Sequence, residues 1–260
     1  MTRAYFDSIR CIAFDFCGTL AALEPSSTEI LRDWLASQGC VQIESERLDA
    51  ALEMAGSEFP YSSLRITDGS ARRQHYVRFN TRVLELLGCD ERDGAALYAH
   101  FRRYDRHWVL KPGARDVLES LRSRGYRIVL ASNFDANLVE LLSRDGITGF
   151  FDAFFVSGEM GVEKPDPAFY GHVRRAVGCP GEIAMVGDDL RLDVFPARQA
   201  GFMPVHIRPG SMSDGGARYV ADAEYVEIAR LEDLLQLCAP LTGGEVAGCG
   251  APAPRDLDGC

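Results

Sequence analysis

Residues that can carry chemistry fall at the ends of apolar runs that alternate with helical patterns in this sequence. Five of them stand at predicted strand ends or in a loop before a helix: Asp15, Ser132, Lys164, Asp188 and Asp189. Reactive groups in open α/β sheets lie at the carboxyl ends of the strands, so we expect these five side chains to share one crevice. Three carboxylates beside one lysine suit a hard divalent cation with oxygen ligands, above all Mg²⁺. The cation and the lysine would offset the charge of a bound phosphoryl group.

Each of these signals is weak when it is taken alone. An Asp after a strand is more often a turn or capping residue than a functional one, and Gly187-Asp188-Asp189 or Lys164-Pro165 is no more specific. Their shared placement is what favours a site, in which Ser132 and its neighbouring backbone amides would hold phosphoryl oxygens. Lysine usage adds a second indication, because Lys111 and Lys164 are the only lysines among 28 basic residues. A compact point charge is therefore wanted at Lys164, where arginine would not substitute.

The elements that position these residues alternate between strands and helices. Short apolar runs predict strands over residues 11–14, 127–131, 151–156, 183–186 and 203–207. Helical spacing of apolar residues predicts helices over 26–39, 44–58, 70–88, 91–107, 113–124, 135–145, 167–177, 190–200 and 231–237. Strands that alternate with helices indicate βαβ units and a mainly parallel sheet, so the predicted fold class is α/β.

One long stretch breaks this alternation. Residues 21–107 carry no strand signal of any strength, which predicts an all-helical insert after the first strand of the α/β domain. We expect residues 1–20 and 111–238 to form the α/β core and residues 21–110 to form the insert. The segment 239–260 is rich in Gly, Pro and Ala, and we expect it to be a flexible tail.

Composition and charge exclude several classes of protein. The chain has 260 residues, of which 47% are hydrophobic and 25% charged, as in ordinary globular proteins. A net charge of −10 argues against nucleic-acid binding. The sequence has no apolar run of membrane-spanning length and does not begin like a signal peptide, so we expect a cytoplasmic protein. The 8 cysteines include no CxxC pair, which argues against a zinc site or a redox dithiol.

Four stretches of the sequence together resemble the motifs of the haloacid dehalogenase-like hydrolase superfamily. They are Asp15-x-Cys17-Gly18-Thr19-Leu20, Leu130-Ala131-Ser132-Asn133, Gly161-Val162-Glu163-Lys164-Pro165-Asp166-Pro167 and Val186-Gly187-Asp188-Asp189-Leu190-Arg191-Leu192-Asp193. The stretch Lys111-Pro112-Gly113-Ala114 before the second motif is also typical of this family. The likeness covers residues 10–207 and implies a Rossmann-like core with a parallel sheet. It also implies that the insert is the helical cap of the family's first subfamily.

The resemblance implies a role for each matching residue. Asp15 would be the nucleophile, which attacks phosphorus and forms an aspartyl-phosphate that water then hydrolyses. Mg²⁺ would be held by Asp15, the carbonyl of Cys17 and Asp188, with support from Asp189 or Asp193. The phosphoryl group would contact four side chains: Thr19, Ser132, Asn133 and Lys164. The implied partner is a small phosphorylated substrate, rather than a nucleic acid or a membrane.

Residue 17 departs from the family pattern. The family's phosphatases have a second Asp two residues after the nucleophile, where it protonates the leaving group and later activates water. Cys17 stands there in this sequence. A thiol has a reference pKa of about 8.5 and is a weak donor, and loss of a placed acid/base group typically costs about 10²–10⁴ in rate. Cys17 is therefore either a small buried residue whose carbonyl still meets the metal or a residue with a special chemical role.

Other reactions of the family are less compatible with this sequence. Haloacid dehalogenases have Tyr at the position of Cys17 and lack the acidic fourth motif, which is present here in full. Phosphonatases use a lysine of the cap, and residues 21–110 contain none. The two foremost hypotheses are a phosphatase, slowed by Cys17, and a catalytically degenerate protein that binds a phosphorylated ligand or a protein partner. A different hydrolytic or transfer reaction through Asp15 is the third.

The insert carries a basic cluster that bears on the choice of substrate. Its members are Arg65, Arg72, Arg73, His75 and Arg78. They form either a solvated helix face, as such clusters usually do, or a set that reaches a second anionic group of the substrate. Tyr61 and Trp108 are equally consistent with a position in the core of the insert and with an aromatic platform for the substrate.

Overall fold

The computed structural model describes residues 6–40, 43–60, 69–105, 107–178, 182–209, 216–221 and 223–241. Its strands are β1 (Ile9–Phe14), β2 (Ala21–Leu23), β3 (Trp108–Leu110), β4 (Arg127–Ser132), β5 (Ala153–Val156), β6 (Glu182–Gly187), β7 (Met203–Ile207), β8 (Ala217–Val220) and β9 (Tyr225–Ile228). Its α-helices are α1 (Ser27–Ser37), α2 (Ser45–Glu58), α3 (Gly69–Leu87), α4 (Gly94–Phe101), α5 (Ala114–Ser123), α6 (Leu138–Arg144), α7 (Ser157–Met160), α8 (Pro167–Val177), α9 (Phe195–Gln199) and α10 (Leu234–Leu237). A π-helical turn, Leu190–Val194, leads into α9.

Seven of the described strands form one sheet in the order β5-β4-β1-β6-β7-β9-β8. All neighbours pair in parallel except β8, which runs antiparallel to β9 at one edge. Side chains of the central strand alternate between two apolar clusters, with Ile12 and Phe14 in one and Cys11 and Ala13 in the other. The sheet is therefore covered on both faces, as the βαβ pattern requires. This confirms the predicted α/β fold with a mainly parallel, Rossmann-like sheet.

The helix after the predicted lysine loop begins and ends where the sequence supplies the matching residues. Asp166 caps α8 by accepting a hydrogen bond from the Ala168 backbone N at 2.8 Å, and Pro167 occupies the first helical position. Gly178 ends the helix in the left-handed conformation, with φ of 53°. Because Lys164 lies two residues before this cap, the start of the helix helps to fix the loop that carries it.

Helices α1–α4 pack around an apolar core of their own. Its buried members are Leu31, Trp34, Leu35, Leu48, Ala51, Ala55, Val83, Leu84, Leu87 and Leu97. The two ends of this helical insert are joined by β2 and β3, which pair antiparallel with Ala21 opposite Leu110 and Leu23 opposite Trp108. The expectation that residues 21–107 contain no strand is therefore wrong at β2. A strand of three residues is too short to show an alternating pattern, and its partner lies far away in the chain.

The carboxyl-terminal part of the described chain differs from the sequence expectation in two ways. Strands β8 and β9 extend the sheet where no strand was expected, because each has four residues and no clear alternation. The predicted tail 239–260 begins with residues that are held: Tyr126 Oη donates to the Ala239 carbonyl at 2.9 Å, and the Leu241 backbone N donates to the Arg124 carbonyl at 2.9 Å. Residues 242–260 lie outside the described residues.

None of the helices in the described part of the chain is both long enough and apolar enough to cross a bilayer.

Candidate active site

Three neighbouring strands bring the predicted site residues to one edge of the sheet. In the order β4-β1-β6, Ser132 ends β4, Asp15 directly follows β1, and Asp188 directly follows β6. The strands are parallel, so their carboxyl ends meet at the same edge. The backbone N of Asp15 donates to the Val186 carbonyl of β6 at 2.9 Å, which extends the ladder into the loop that carries Asp15.

The Asp15 carboxylate is buried and held by two donors. Its Oδ1 accepts hydrogen bonds from Ser132 Oγ at 2.9 Å and from Lys164 Nζ at 2.7 Å. Asp15 is 5% exposed, Ser132 is fully buried and Lys164 is 2% exposed. Both of these hydrogen bonds reach the same oxygen, Oδ1.

Lys164 links two carboxylates. Its Nζ also donates to Asp193 Oδ1 at 2.6 Å. Burial alone would lower the pKa of Lys164, but Asp15 and Asp193 together outweigh it and raise the pKa, so the ammonium stays charged. The backbone of Lys164 is fixed from both sides by the Asn133 amide, whose Nδ2 donates to the Lys164 carbonyl at 2.8 Å and whose Oδ1 accepts from the Lys164 N at 2.9 Å. The Asn133 side chain therefore positions the lysine.

Three carboxylates converge at this edge. Oxygen atoms of Asp15, Asp188 and Asp193 all lie within 4.8 Å of one another, and Asp188 is the most exposed of the three residues. Burial and then the charge of Asp15 raise the pKa of Asp188, and burial raises the pKa of Asp193 against the opposing pull of Lys164. The raised pKa values mean that too little positive charge lies nearby to stabilise the ionised forms of these carboxylates. Clustered oxygen ligands of this kind fit Mg²⁺, which would supply the missing charge.

Two predicted site residues use their side chains within the protein. Thr19 Oγ1 donates to Asp188 Oδ1 at 3.1 Å, so this hydroxyl orients Asp188. Asp189 Oδ1 accepts from the backbone N of Arg191 at 2.6 Å and of Leu192 at 3.1 Å, where it caps the π-helical turn. Asp189 is not part of the convergent group of three carboxylates. The turn that it caps is the one that presents Asp193.

Glycine is required where two of these segments approach each other. Gly18 has φ of 75°, and a Cβ at that position would overlap the carboxylate of Asp188. A Cβ at Gly187 would overlap the carboxylate of Asp193 in the same way. Both glycines therefore let the acidic side chains lie directly against the backbone of the neighbouring loop.

Cys17 lies half-buried beside the nucleophile loop and packs against the apolar core. Burial, and after it the charge of Asp15, raises the pKa of the Cys17 thiol well above its ordinary value. The thiol is therefore protonated at neutral pH, and it cannot act as a base there.

Sequence reasoning missed two residues that support the site. Lys111 Nζ donates to the Gly18 carbonyl, and its charge partly opposes the rise in the pKa of the neighbouring Asp188. His206 Nε2 donates to the Asp188 carbonyl at 3.0 Å. The rarity of lysine in this sequence could have identified Lys111 as well as Lys164, because both lysines of the chain lie at this crevice. His206 gave no signal, because it is simply a polar residue inside an apolar strand.

The basic cluster of the insert is divided between several environments. Arg72 pairs with Asp135 in the loop after β4, at 2.6 Å between Nη2 and Oδ2. His75 contacts the ring of Phe59, with ring centroids 5.9 Å apart, and Arg73 and Arg78 are exposed. Arg65 and Tyr61 lie outside the described residues. Trp108 is part of β3 and packs against the core of the sheet domain.

Comparison with known proteins extends over most of the chain. The sequence model of the haloacid dehalogenase-like hydrolases matches residues 9–201. Glyceraldehyde 3-phosphate phosphatase of Methanopyrus kandleri is 35% identical over 239 residues, which cover 90% of this chain and 98% of that protein. Phosphoserine phosphatase of Thermus thermophilus is 30% identical over 224 residues, which cover 78% of this chain and 90% of that protein.

A solved structure shows the same fold. The HAD-hydrolase YfnB of Bacillus subtilis, crystallised with magnesium, aligns with a TM-score of 0.64 at 22% identity, covering 88% of this chain and 98% of that chain. At this identity the likeness concerns the fold alone. The sequence match over residues 9–201 and the relative of nearly equal length carry the assignment further. This chain belongs to the haloacid dehalogenase-like hydrolases.

Proposed function

We propose that this protein is a Mg²⁺-dependent phosphatase that acts on a small phosphorylated metabolite through an aspartyl-phosphate on Asp15. The observation that carries the proposal is the buried Asp15 carboxylate, which is held by Lys164 and Ser132 inside a group of three carboxylates. Two relatives that match most of the chain are phosphatases of small phosphorylated molecules, which supports the same reaction class.

In this proposal the chain is divided as the sequence suggests. Residues 1–20 and 111–238 form the catalytic core, and residues 21–110 form a cap over it. The separate apolar core of α1–α4 supports this division, and so does the narrow β2–β3 connection between the two parts. A cap of this kind would enclose the alcohol part of the substrate while the core carries out the chemistry.

The reaction would begin at Asp15. With Oδ1 held by Ser132 and Lys164, Oδ2 attacks phosphorus, the bond from phosphorus to the leaving oxygen breaks, and that oxygen takes a proton from water. Asp15, Asp188, Asp193 and the Cys17 carbonyl would hold Mg²⁺, which supplies positive charge opposite the phosphoryl oxygens. Lys164 keeps its charge beside the nucleophile and reduces the repulsion between two anions.

The second half of the reaction returns the nucleophile. Water attacks the phosphorus of the aspartyl-phosphate, releases inorganic phosphate and restores the carboxylate of Asp15. In the family's phosphatases a carboxylate at the position of Cys17 assists this step. The protonated thiol cannot take the proton from that water, so this step should limit turnover.

Release of inorganic phosphate tests the proposal. The protein should release phosphate from para-nitrophenyl phosphate with Mg²⁺ and lose this activity with EDTA. Asp15→Asn should abolish it, whereas Asp33→Asn, an exposed change on α1, should leave it intact. No phosphate release by the native protein in any of these conditions would contradict the proposal.

The absence of a carboxyl group at residue 17, where Cys17 stands, favours one alternative, a catalytically degenerate protein that binds a phosphorylated ligand or partner. This alternative predicts that inorganic phosphate or a phosphate ester binds with Mg²⁺ and is not turned over. Calorimetric binding without phosphate release would therefore favour it.

A further inference from the structure

A cavity of about 340 Å³ lies between helices α2–α4 and the loop that follows β4. Aromatic side chains form a large part of its wall, among them Phe59, Tyr76, Phe79, Tyr98, Trp108 and Phe134. The rings of Tyr76 and Tyr98 are stacked, with centroids 6.2 Å apart and an interplanar angle of 15°. Aromatic side chains give such a wall a large apolar area that an occupant can contact.

The wall of this cavity continues to the nucleophile. Trp108 and Phe134 both contact the ring of Phe16, at centroid distances of 5.4 and 5.8 Å. Phe16 follows Asp15 directly, and Phe134 follows Asn133, which fixes the loop of Lys164. The wall of the cavity is therefore connected, through these ring contacts, to the residue next to the nucleophile.

The charged groups in the described part of the wall are neutralised. Arg72 pairs with Asp135 at 2.6 Å, and Arg102 pairs with Asp105. Burial lowers the pKa of His75, so its ring is neutral at pH 7. In the described lining each arginine therefore already has a carboxylate partner, which favours a neutral occupant over a second phosphate or a carboxylate.

We propose that this cavity receives the alcohol part of the substrate and selects a neutral aromatic group. This inference rests on the phosphoester site proposed at Asp15. The volume is ample for a ring, since an apolar cavity of about 150 Å³ already binds benzene. Stacking on the tyrosine and tryptophan rings would add to the free energy that is gained when the ring of the substrate leaves water.

Gly56 offers a way to fill this cavity without disturbing its wall. It lies on α2 and lines the cavity, and a Cβ built on it meets nothing within 4 Å. Gly56→Leu would place apolar volume inside the cavity. Ser57→Leu is the matched control, because Ser57 is the exposed next residue of the same helix.

Three phosphate esters with alkyl leaving groups test the inference: propyl, phenethyl and para-carboxyphenethyl phosphate. Because each is an ester of a primary alcohol, differences in kcat/KM report on the cavity rather than on the leaving group. We expect phenethyl phosphate to exceed propyl phosphate by at least about tenfold in kcat/KM, and the carboxylate to remove about tenfold again. Gly56→Leu should abolish the preference for phenethyl over propyl phosphate, and Ser57→Leu should retain it. Equal kcat/KM for the two neutral esters, or a preference that survives Gly56→Leu, would overturn the inference.

Binding of phosphonates, which cannot be hydrolysed, separates this inference from the proposed function. In the presence of Mg²⁺, phenethylphosphonate should bind more tightly than propylphosphonate in calorimetry, and Gly56→Leu should remove the difference. If this preference is found without any ester hydrolysis, the phosphatase proposal fails and the cavity assignment stands. If esters are hydrolysed without any aromatic preference, the cavity assignment fails and the phosphatase proposal stands. If neither is observed, both are overturned.

Discussion

The thiol of Cys17 lies beside a nucleophile that is otherwise fully supported. Asp15 has a hydroxyl donor, a buried ammonium group and two acidic neighbours, whereas residue 17 has no carboxyl group. An ionised carboxylate needs no further activation to attack, so the first half-reaction is possible with a good leaving group. Activation of water and protonation of a poor leaving group are the steps that the thiol does not assist.

Restoring a carboxyl group at residue 17 should therefore raise turnover. We predict that Cys17→Asp increases kcat on alkyl phosphates by about 10–10³-fold, which overlaps the lower part of the range for a placed acid/base group. Cys17→Ser is the matched control and should give no such gain. Steady-state phosphate release from propyl and para-nitrophenyl phosphate measures both variants. Rapid turnover of the alkyl ester by the native protein, with no gain in Cys17→Asp, would show that another group supplies the proton.

The convergent carboxylates give a second prediction at this scale. Asp188→Asn should weaken Mg²⁺ binding at least about tenfold, because one of three charged oxygen ligands is lost. Asp189→Asn should have a smaller effect, because the Asp189 carboxylate is committed to backbone N–H groups of the π-helical turn. Isothermal titration with MgCl₂ measures both. An affinity that is unchanged in Asp188→Asn would remove this residue from the metal site.

The sequence was sufficient to predict that Asp15, Ser132 and Asp188 lie close together, because residues at the carboxyl ends of adjacent parallel strands meet at one edge of the sheet. It was not sufficient to say where each side chain would be used. Thr19 and Asn133, which we expect at the phosphoryl group, also make contacts that residue spacing does not predict: Thr19 bonds to Asp188, and Asn133 bonds to the backbone of Lys164. Such choices depend on distances between loops that are far apart in the chain, which residue spacing does not encode.

At the scale of elements, local signals decided which predictions were accurate. Helix α8 and strand β7 have the predicted bounds, because Asp166-Pro167 and Gly178 mark the helix and an apolar run interrupted only by His206 marks the strand. The predicted helix 190–200 begins instead with a π-helical turn, where Asp189 caps the backbone. The short strands β2, β8 and β9 depend on partners distant in sequence, so their own residues carry little signal.

The ion pair between Arg72 and Asp135 connects the helical insert with the core, as does the more exposed pair between Arg191 and Glu53. Arg72 of α3 bonds to Asp135, which also accepts a hydrogen bond from Tyr76 Oη at 3.0 Å. We predict that Arg72→Met and Asp135→Asn each lower the free energy of unfolding by about 1 kcal/mol, a modest value because the Arg72 side chain is 28% exposed. The double variant should show a coupling energy of similar size in urea unfolding. Strictly additive effects would mean that the pair does not hold the two parts together.

At the scale of the whole molecule, the described end of the chain is bound to the core rather than free. Tyr126 donates to the Ala239 carbonyl, and Arg124 Nη1 donates to the Leu235 carbonyl at 2.6 Å. These contacts hold the segment after α10 against the end of α5 and the start of β4. We therefore expect the end of the described chain, up to residue 241, to unfold together with the core.

The stability of the molecule at high pH should report on this contact. Burial is the largest cause that raises the pKa of Tyr126 to about 12, so the folded chain holds this proton more tightly than the unfolded chain, in which Tyr titrates near about 10. The contribution of Tyr126 to the free energy of unfolding is therefore fully present below about pH 10, and it is lost as the pH rises to about 12. Tyr126→Phe should cost about 1 kcal/mol at neutral pH and make the alkaline decline shallower. Part of the alkaline decline in stability should remain in Tyr126→Phe, because burial also raises the pKa of Cys238 to about 12. Urea unfolding at several pH values measures this, and an identical alkaline decline in both proteins would contradict it.

The reaction proposed for the whole protein passes through a covalent bond to one residue, and trapping that bond is its most direct test. The native protein would be mixed with para-nitrophenyl phosphate and Mg²⁺, quenched in acid and analysed by intact and peptide mass spectrometry. We predict a phosphoryl adduct on Asp15 that accumulates because Cys17 does not assist its hydrolysis, that is depleted in Cys17→Asp, and that is absent in Asp15→Asn. Phosphate release by the native protein with no adduct, or an adduct on another residue, would contradict the account.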